Sequence, residues 1–273
     1  KPENPLLARV AVNRFWQEIF GTGLVKSSDD LGSQGEAPSH PELLDWIAVD
    51  FRENGWDVKR LIRQILITAA YRQQAVATAE KLKVDPDNRL LGRFPLRRLD
   101  AEAIRDATLA ASGRLNLKPF GSPVAVMEDD AGLAVIGKEN RDGAGYKLGD
   151  ESLAAGEESR RSIYVQVRRS KPLLVLDVFD WATVEPNCEI RRPSTATPQS
   201  LLLLNNEFTL NQAIHFAERV KREAGTDPRS QITLAWQLAY GTLPQTEEVV
   251  KTAAFITAQT RVFESASPLA PPG

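Results

Sequence analysis

The chain has 273 residues, of which 42% are hydrophobic and 26% charged, with a formal net charge of −2 at pH 7. This length supports a sizeable buried core, and the near-neutral charge leaves electrostatic recognition to local clusters rather than to a global pull toward nucleic acid or anionic membrane. The single cysteine, Cys188, excludes an internal disulfide, and no apolar run reaches the roughly 18 residues of a membrane span.

The first predicted element is a helix. Asn4 can cap it, Pro5 suits its opening turn, and Leu6, Val10, Phe15 and Ile19 recur at helical spacing before Gly21 and Gly23 stop it. A polar loop, Lys26 to Ser39, precedes a second helix expected to be capped by Ser39, with Pro41 near its start and Leu43, Leu44, Ile47 and Phe51 on its apolar face. Asn54 and Gly55 end that helix, and Asp57 opens a third with Leu61, Ile65 and Ala69 inward. After a turn at residues 85–88, Asp100 is the predicted cap of a helix ending at Gly113.

The pattern then changes. Residues 121–160 are rich in glycine and acids and read as a long surface excursion with one or two short strands. The next segment, "RRSIYVQVRR", alternates and is the best strand candidate, with Ile163, Val165 and Val167 on one face. Helices resume with "PLLVLDVFDW", then with "PQSLLLLNN", which Thr197 is expected to cap. An amphipathic run from Glu207 follows, then a helical hairpin across "GTLP". Four consecutive leucines, Leu201 to Leu204, predict a helix buried on most sides. The expected fold is mainly α: an irregular multi-helix domain over residues 1–264 with a small β insertion around residues 120–168. Residues 265–273 form a proline-rich linker or tail. The N-terminal stretch lacks a basic head followed by an apolar run, so it does not read as a signal peptide, and both ends read as cuts from a longer polypeptide.

Three constellations carry possible chemistry. Glu102 and Asp106 stand four apart on one helix face, the arrangement from which a carboxylate pair could do acid–base work on a glycosidic bond. An arginine–carboxylate network that pins the helix start is the structural alternative, and the favoured one. His40, before Pro41, could act as a general base or a lone metal ligand, because imidazole titrates near neutrality. As a helix-start histidine bonded to the preceding loop, it needs no such role. His215 reads as a packing residue. The third constellation is basic: Arg161, Tyr164, Arg168 and Arg169, joined by Arg192. Guanidinium forks match sulfate, phosphate and carboxylate groups, and a tyrosine ring can stack on a sugar face. These arginines could instead pair with the acidic excursion. No spacing of histidine, cysteine or acid suggests a metal site, and no nucleophile elbow or phosphate-cradling loop is present.

Several long stretches carry a resemblance. "NPLLARVAVNRFWQEIFGTGLV", "HPELLDWIAVDF", "AAYRQ", "RRLDAEAIRDATLAASGRL", "RRSIYVQVRR" and "STATPQSLLLLNNEF" together resemble the planctomycete-type domain of unknown function, over about residues 4–260. The resemblance implies a module toward the C-terminal end of a large periplasmic or otherwise exported protein that also carries a cytochrome c-like domain. Haem c is then expected in that other domain and no cofactor in this chain. The family setting implies glycan metabolism by association only. The leading expectation is a ligand-binding or interaction module, with anionic polysaccharide as ligand and the other domains of the polypeptide as partners. Nucleic acid and a membrane span are not expected. The alternatives are a glycan-active enzyme (hydrolase, lyase or oxidoreductase component) using His40, Glu102 and Asp106, and a scaffold that docks the haem domain.

Overall fold

The computed structural model describes residues 4–141, 147–182, 191 and 194–265. Helix accounts for 53% of the chain and, among the described residues, strands form two small two-stranded sheets, so the protein is mainly α. It divides into two compact units, Lys1–Arg98 and Leu99–Gly273.

The first unit holds α1 (Pro5–Phe20), α2 (Pro41–Glu53), α3 (Val58–Leu66), α4 (Ala69–Arg72) and α5 (Ala79–Val84). Asn4 caps α1 by accepting the Leu6 N–H at 2.9 Å, and Asp57 caps α3 by accepting that of Arg60 at 3.0 Å. The α1 stripe that goes inside is Ala8, Val12, Trp16 and Phe20, whereas Leu6 is exposed and Phe15 and Ile19 are half-buried. Apolar residues lie on two sides of α1. The side bearing Trp16 and Phe20, stacked at 4.4 Å between ring centroids, removes more apolar area from water and takes the core. Leu44, Ile47, Ala48, Phe51, Leu61 and Ile65 complete that core. Ser39 does not cap α2. Its N–H goes to the Leu24 carbonyl at 2.8 Å, and His40 takes the cap position without a side-chain cap bond.

The loop after α1 is fixed by one buried amide. Asn13 is fully buried, and its side chain accepts the Val25 N–H at 2.8 Å and donates to the Val25 carbonyl at 2.9 Å. This pairing imitates a strand ladder where no strand exists. Gly23 lies against the same amide: a Cβ there would stand 2.6 Å from Asn13 Nδ2 and 2.5 Å from the Val25 carbonyl oxygen, so no larger residue fits.

The second unit begins with α6 (Ala101–Ser112). Two antiparallel hairpins follow: β1 (Val126–Glu128) with β2 (Ala134–Ile136), and β3 (Lys138–Arg141) with β4 (Lys147–Glu151). The glycine-rich excursion therefore carries four short strands. Beyond it stand α7 (Leu174–Asp177), α8 (Thr197–Asn205), α9 (Glu207–Ala224), α10 (Pro228–Tyr240) and α11 (Thr246–Ser265). The core gathers Ala101, Val124, Val126, Val165, Leu176, Phe179 and Leu202. Helices α6, α8 and α10 each pack on α9, and α11 packs on α10. Arg219 of α9 donates to the Ala110 and Ala111 carbonyls, both at 2.9 Å, and so satisfies the C-terminal end of α6.

Three expectations for this unit are corrected. The "RRSIYVQVRR" segment is not a strand. A 3-10 turn at Glu157–Ser159 precedes it, a second at Ser162–Tyr164 lies within it, and it meets residues 116 and 124 through two isolated parallel bridges, Asn116 with Arg160 and Val124 with Val165. Val165 is buried, whereas Ile163 and Val167 are exposed. Side chains of α6 take the Arg160 carbonyl and the Ser162 N–H, and the turn closes on itself from Tyr164 and Val165. Among the described residues only Val124 offers a backbone partner, to the Tyr164 carbonyl and the Gln166 N–H. The leucine run of α8 is also not buried on most sides: Leu202 is 8% exposed, but Leu201, Leu203 and Leu204 are 53%, 46% and 70% exposed. Four consecutive residues sweep almost the whole circumference of a helix, and among the described residues α8 packs mainly on α9. Its start is satisfied by Gln199, whose side chain accepts the Ala196 N–H at 3.1 Å, rather than by the Thr197 hydroxyl. The expected tail from residue 265 lies outside the described residues except for Ser265, which ends α11.

Replacing Asn13 by alanine removes both bonds to Val25 and strands its buried N–H and carbonyl. Asn13→Ala is expected to cost about 2–3 kcal/mol in a urea unfolding titration, whereas Asn54→Ala, on the exposed end of α2, is expected to shift it by less than about 1 kcal/mol.

Candidate functional site

Two guanidinium groups are buried in the second unit. Arg105 on α6 and Arg160 between the 3-10 turns are each 1% exposed. Arg105 donates to the carbonyls of Arg160 at 2.9 Å and Glu158 at 2.8 Å and to the Ser162 hydroxyl at 3.2 Å, and its plane lies 5.7 Å from the Phe208 ring centre. Burial pulls its pKa down and the adjacent Asp106 carboxylate pulls it back up; it remains a cation at neutral pH. Arg160 donates to the Ser122 carbonyl at 3.0 Å, to the Phe120 carbonyl and to the Glu157 carboxylate at 3.0 Å, and sits 4.2 Å above the Tyr164 ring. The Nε of each arginine has no partner within the described residues.

The predicted acids belong to the same frame. Asp106 accepts the Ser162 N–H and hydroxyl, both at 2.7 Å. Glu102 receives both arms of Arg191, at 2.6 and 3.0 Å, and the Trp181 indole N–H at 3.0 Å. Burial pushes the Glu102 pKa up. The Arg191 fork, the residue's own backbone N–H and Trp181 outweigh this and hold the carboxyl below the usual carboxylate range. Glu102 and Asp106 thus share a face of α6 but serve different clamps: Glu102 holds the approach to α8, and Asp106 holds the turn at Ser162. His40 lies in the first unit, its Nδ1 3.0 Å from the Ser39 hydroxyl.

Among the predicted ligand residues, Arg161 is exposed and approaches Asp106 at 3.5 Å. Tyr164 is half-buried, and its hydroxyl accepts the Phe120 N–H at 3.1 Å. Arg168 is half-buried and Arg169 exposed, both in the coil before α7. Arg192 lies outside the described residues. The structure therefore gathers Arg161 and Tyr164 around the 3-10 turns. Beside them stands a residue the sequence did not single out: Phe120, 80% exposed on a left-handed backbone with φ of 58°, held by Arg160 and Tyr164. A single aromatic residue with flanking charges gives no periodic signal, so nothing in the pattern could mark it.

A cavity lies elsewhere in this unit. A groove of about 920 Å3 runs between α9, α10 and α11, lined by Phe216, Val220, Ile232, Trp236, Tyr240 and Ile256, with Lys221, Arg261 and Glu264 also lining it. The sequence signal for it was the amphipathic pattern of α9 followed by a helical hairpin whose apolar residues exceed what one buried face needs. In the first unit a smaller pocket of about 320 Å3 is lined by Trp16, Phe20, Lys26, Glu36, Asp87 and Arg89. Among the described residues no group of three or more histidines, cysteines or acids could hold a metal, and no helix is long and apolar enough to cross a membrane.

A family model, PSD1: Protein of unknown function (DUF1553), matches residues 1–256. The chain belongs to this family. No curated protein and no solved structure matches it. The PSD1 match covers all of the first unit, the second as far as residue 256, and every clamp described above.

The depressed pKa of Glu102 means its bonds stabilise the fold above the ordinary carboxylate pKa, and that contribution disappears as pH falls through the lower, folded value. Unfolding titrations are therefore expected to show Glu102→Gln less stable than the parent at about pH 7, with the gap narrowing toward about pH 3. A gap independent of pH would mean that Arg191 does not hold an ionised carboxylate.

Proposed function

We propose that this PSD1 chain is an interaction module, and that the groove between α9, α10 and α11 docks an amphipathic helix from another domain of the same exported, cytochrome c-associated polypeptide. The observation that carries this reading is the groove itself: three helices form an apolar channel with Trp236 and Tyr240 on its wall. Such channels take helices that present apolar residues at i, i+3 or i+4, and i+7. Aromatic residues in a concave, desolvated site are the usual energetic anchors of such contacts. Lys221 and Arg261 favour an acidic flank on the incoming helix. Any haem would be held by the partner domain, and a periplasmic or otherwise exported location belongs to the same reading.

A second reading, binding of an anionic polysaccharide, is favoured by one observation. The exposed Phe120 ring stands on a segment clamped by Arg160 and Tyr164, beside the exposed Arg161. Arg161, Arg168 and Arg169 would meet sulfate or carboxylate groups on a sugar chain whose ring stacks on Phe120. The two acids of α6 are committed to Ser162 and Arg191, so the enzyme reading gains no geometry from them.

Hydrogen exchange separates the docking reading from its rivals. Amides of α10 and of the groove side of α11 are expected to exchange at least about tenfold more slowly in the full-length parent than in the 273-residue chain. In the parent carrying Trp236→Glu, that protection is expected to fall away. Equal exchange in the parent and the isolated chain would sink the docking reading.

A further inference from the structure

The pocket of about 320 Å3 in the first unit has an apolar floor and a charged mouth. Trp16 and Phe20, at the end of α1, line it together with Leu24, and all three are buried. Leu91 and Pro95 add apolar surface. Lys26, Glu36, Asp87 and Arg89 also line it and are exposed, so they stand at its mouth. Apolar walls with a few polar groups that fix orientation are the usual make-up of a small-molecule site.

Two irregular loops carry those charges, and both are held by their own hydrogen bonds. The first runs from Leu24 to Ser39 and is closed at its base by the Ser39 N–H on the Leu24 carbonyl, at 2.8 Å. Within it the Ser27 hydroxyl donates to the Asp30 carbonyl at 2.9 Å and accepts the Glu36 N–H at 2.8 Å, which fixes the backbone under Glu36. The second loop turns at Asp85, whose carboxylate accepts the N–H groups of Arg89 and Leu90 at 2.8 and 2.7 Å. The Asn88 side chain accepts the Arg93 N–H at 3.2 Å and donates to the Arg93 carbonyl at 2.8 Å. Asn88 and Leu91 both hold a left-handed backbone, with φ of 55° and 54°. For a leucine this is strained, and such strain persists where the surroundings over-determine it, as in loops that hold a ligand.

The charges at the mouth are not spent on one another. Among the described residues, the side chains of Lys26, Glu36, Asp87 and Arg89 make no hydrogen bond and no ion pair. Each loop presents one cation and one anion: Lys26 with Glu36, and Arg89 with Asp87. A ligand of net charge would meet as much repulsion as attraction here, whereas a ligand bearing both signs can face each charge with its opposite. The volume is at the small end of the range of about 300–1,000 Å3 for small-molecule sites, which suits a solute of about ten non-hydrogen atoms.

We propose that this pocket binds a free amino acid with an aliphatic side chain. The side chain rests on Trp16, Phe20 and Leu24, the carboxylate faces Lys26 and Arg89, and the ammonium faces Glu36 and Asp87. Exposed charges attract weakly in water, so the affinity is about millimolar. The pocket lies in the first unit and the docking groove in the second, so the two readings stand or fall separately.

Amide nuclear magnetic resonance titration of the isotopically labelled 273-residue chain tests it, with L-leucine to about 50 mM. Saturable shifts are expected at the amides of Gly23, Leu24, Glu36 and Arg89. Three truncated probes dissect the ligand: isocaproate lacks the ammonium, isoamylamine lacks the carboxylate, and glycine lacks the aliphatic body. Each is expected to bind at least about tenfold more weakly than L-leucine. Lys26→Ala/Arg89→Ala and Glu36→Ala/Asp87→Ala are each expected to weaken L-leucine by a similar factor. All four positions are exposed, and unchanged amide signals away from the pocket check that both variants fold. No saturable shift at the pocket amides overturns the proposal. So does a truncated probe that matches L-leucine, or an L-leucine affinity that either double variant leaves unchanged.

Discussion

Most of the second unit depends on the burial of Arg105. A guanidinium taken out of water is tolerated only where several acceptors replace its hydration, and here they are the carbonyls of Glu158 and Arg160 and the Ser162 hydroxyl. Those acceptors are backbone and near-backbone atoms of one irregular segment. The arginine therefore does what a strand ladder would otherwise do: it fixes a chain that has no regular hydrogen bonding of its own. Asp106 acts from the next position on α6 and takes the remaining N–H and hydroxyl of Ser162. Arg160 then carries the order outward, from its buried position to the Phe120 and Ser122 carbonyls. A short helix, a turn and an extended segment are thus joined in series by charged groups rather than by apolar contact alone.

This arrangement explains where the sequence was legible. Helix starts were readable because the capping residue lies next to what it caps: Asn4, Asp57 and the glycine ends of α1 and α6 need no distant partner. The longer helices and the mainly α class followed from periodicity, whereas α5 gave no periodic signal and the third helix, read through Ala69, breaks after Leu66 into α3 and α4 and leaves Ala69 exposed. The segment from Arg160 to Arg169 was not readable, although it alternates well. The Arg160 carbonyl and the Ser162 N–H are claimed by Arg105 and Asp106, which lie more than fifty positions earlier in the chain. Alternation records which residues are apolar and says nothing about which acceptors have been claimed.

The candidate site divides in the same way. An arginine–carboxylate network around α6 could be anticipated from residue types, and Glu102 does meet an arginine just before α8. Which arginines would be buried could not be anticipated, because Arg160 and Arg161 are neighbours in sequence and opposite in fate, one 1% exposed and the other open to solvent. The leucine run of α8 misled for a related reason. Apolar content states how much surface wants cover, but the number of neighbouring elements decides how much receives it. The same excess in α10 and α11 gives this unit its groove.

Asn206 closes α8 and opens α9 in a single residue: its N–H completes the last bond of one helix to Leu202, and its side chain accepts the first free amide of the next, from Phe208. No spacer separates the two helices, so their axes share one joint. One added residue at this junction would turn α9 by about 100° and advance it by about 1.5 Å relative to α8. That rotation would carry Arg219 away from the end of α6 and turn Val220 out of the groove wall. Loop length at this one point therefore sets the phase of everything downstream, and variation in chain length has room in the hairpins between α6 and α7 but none here.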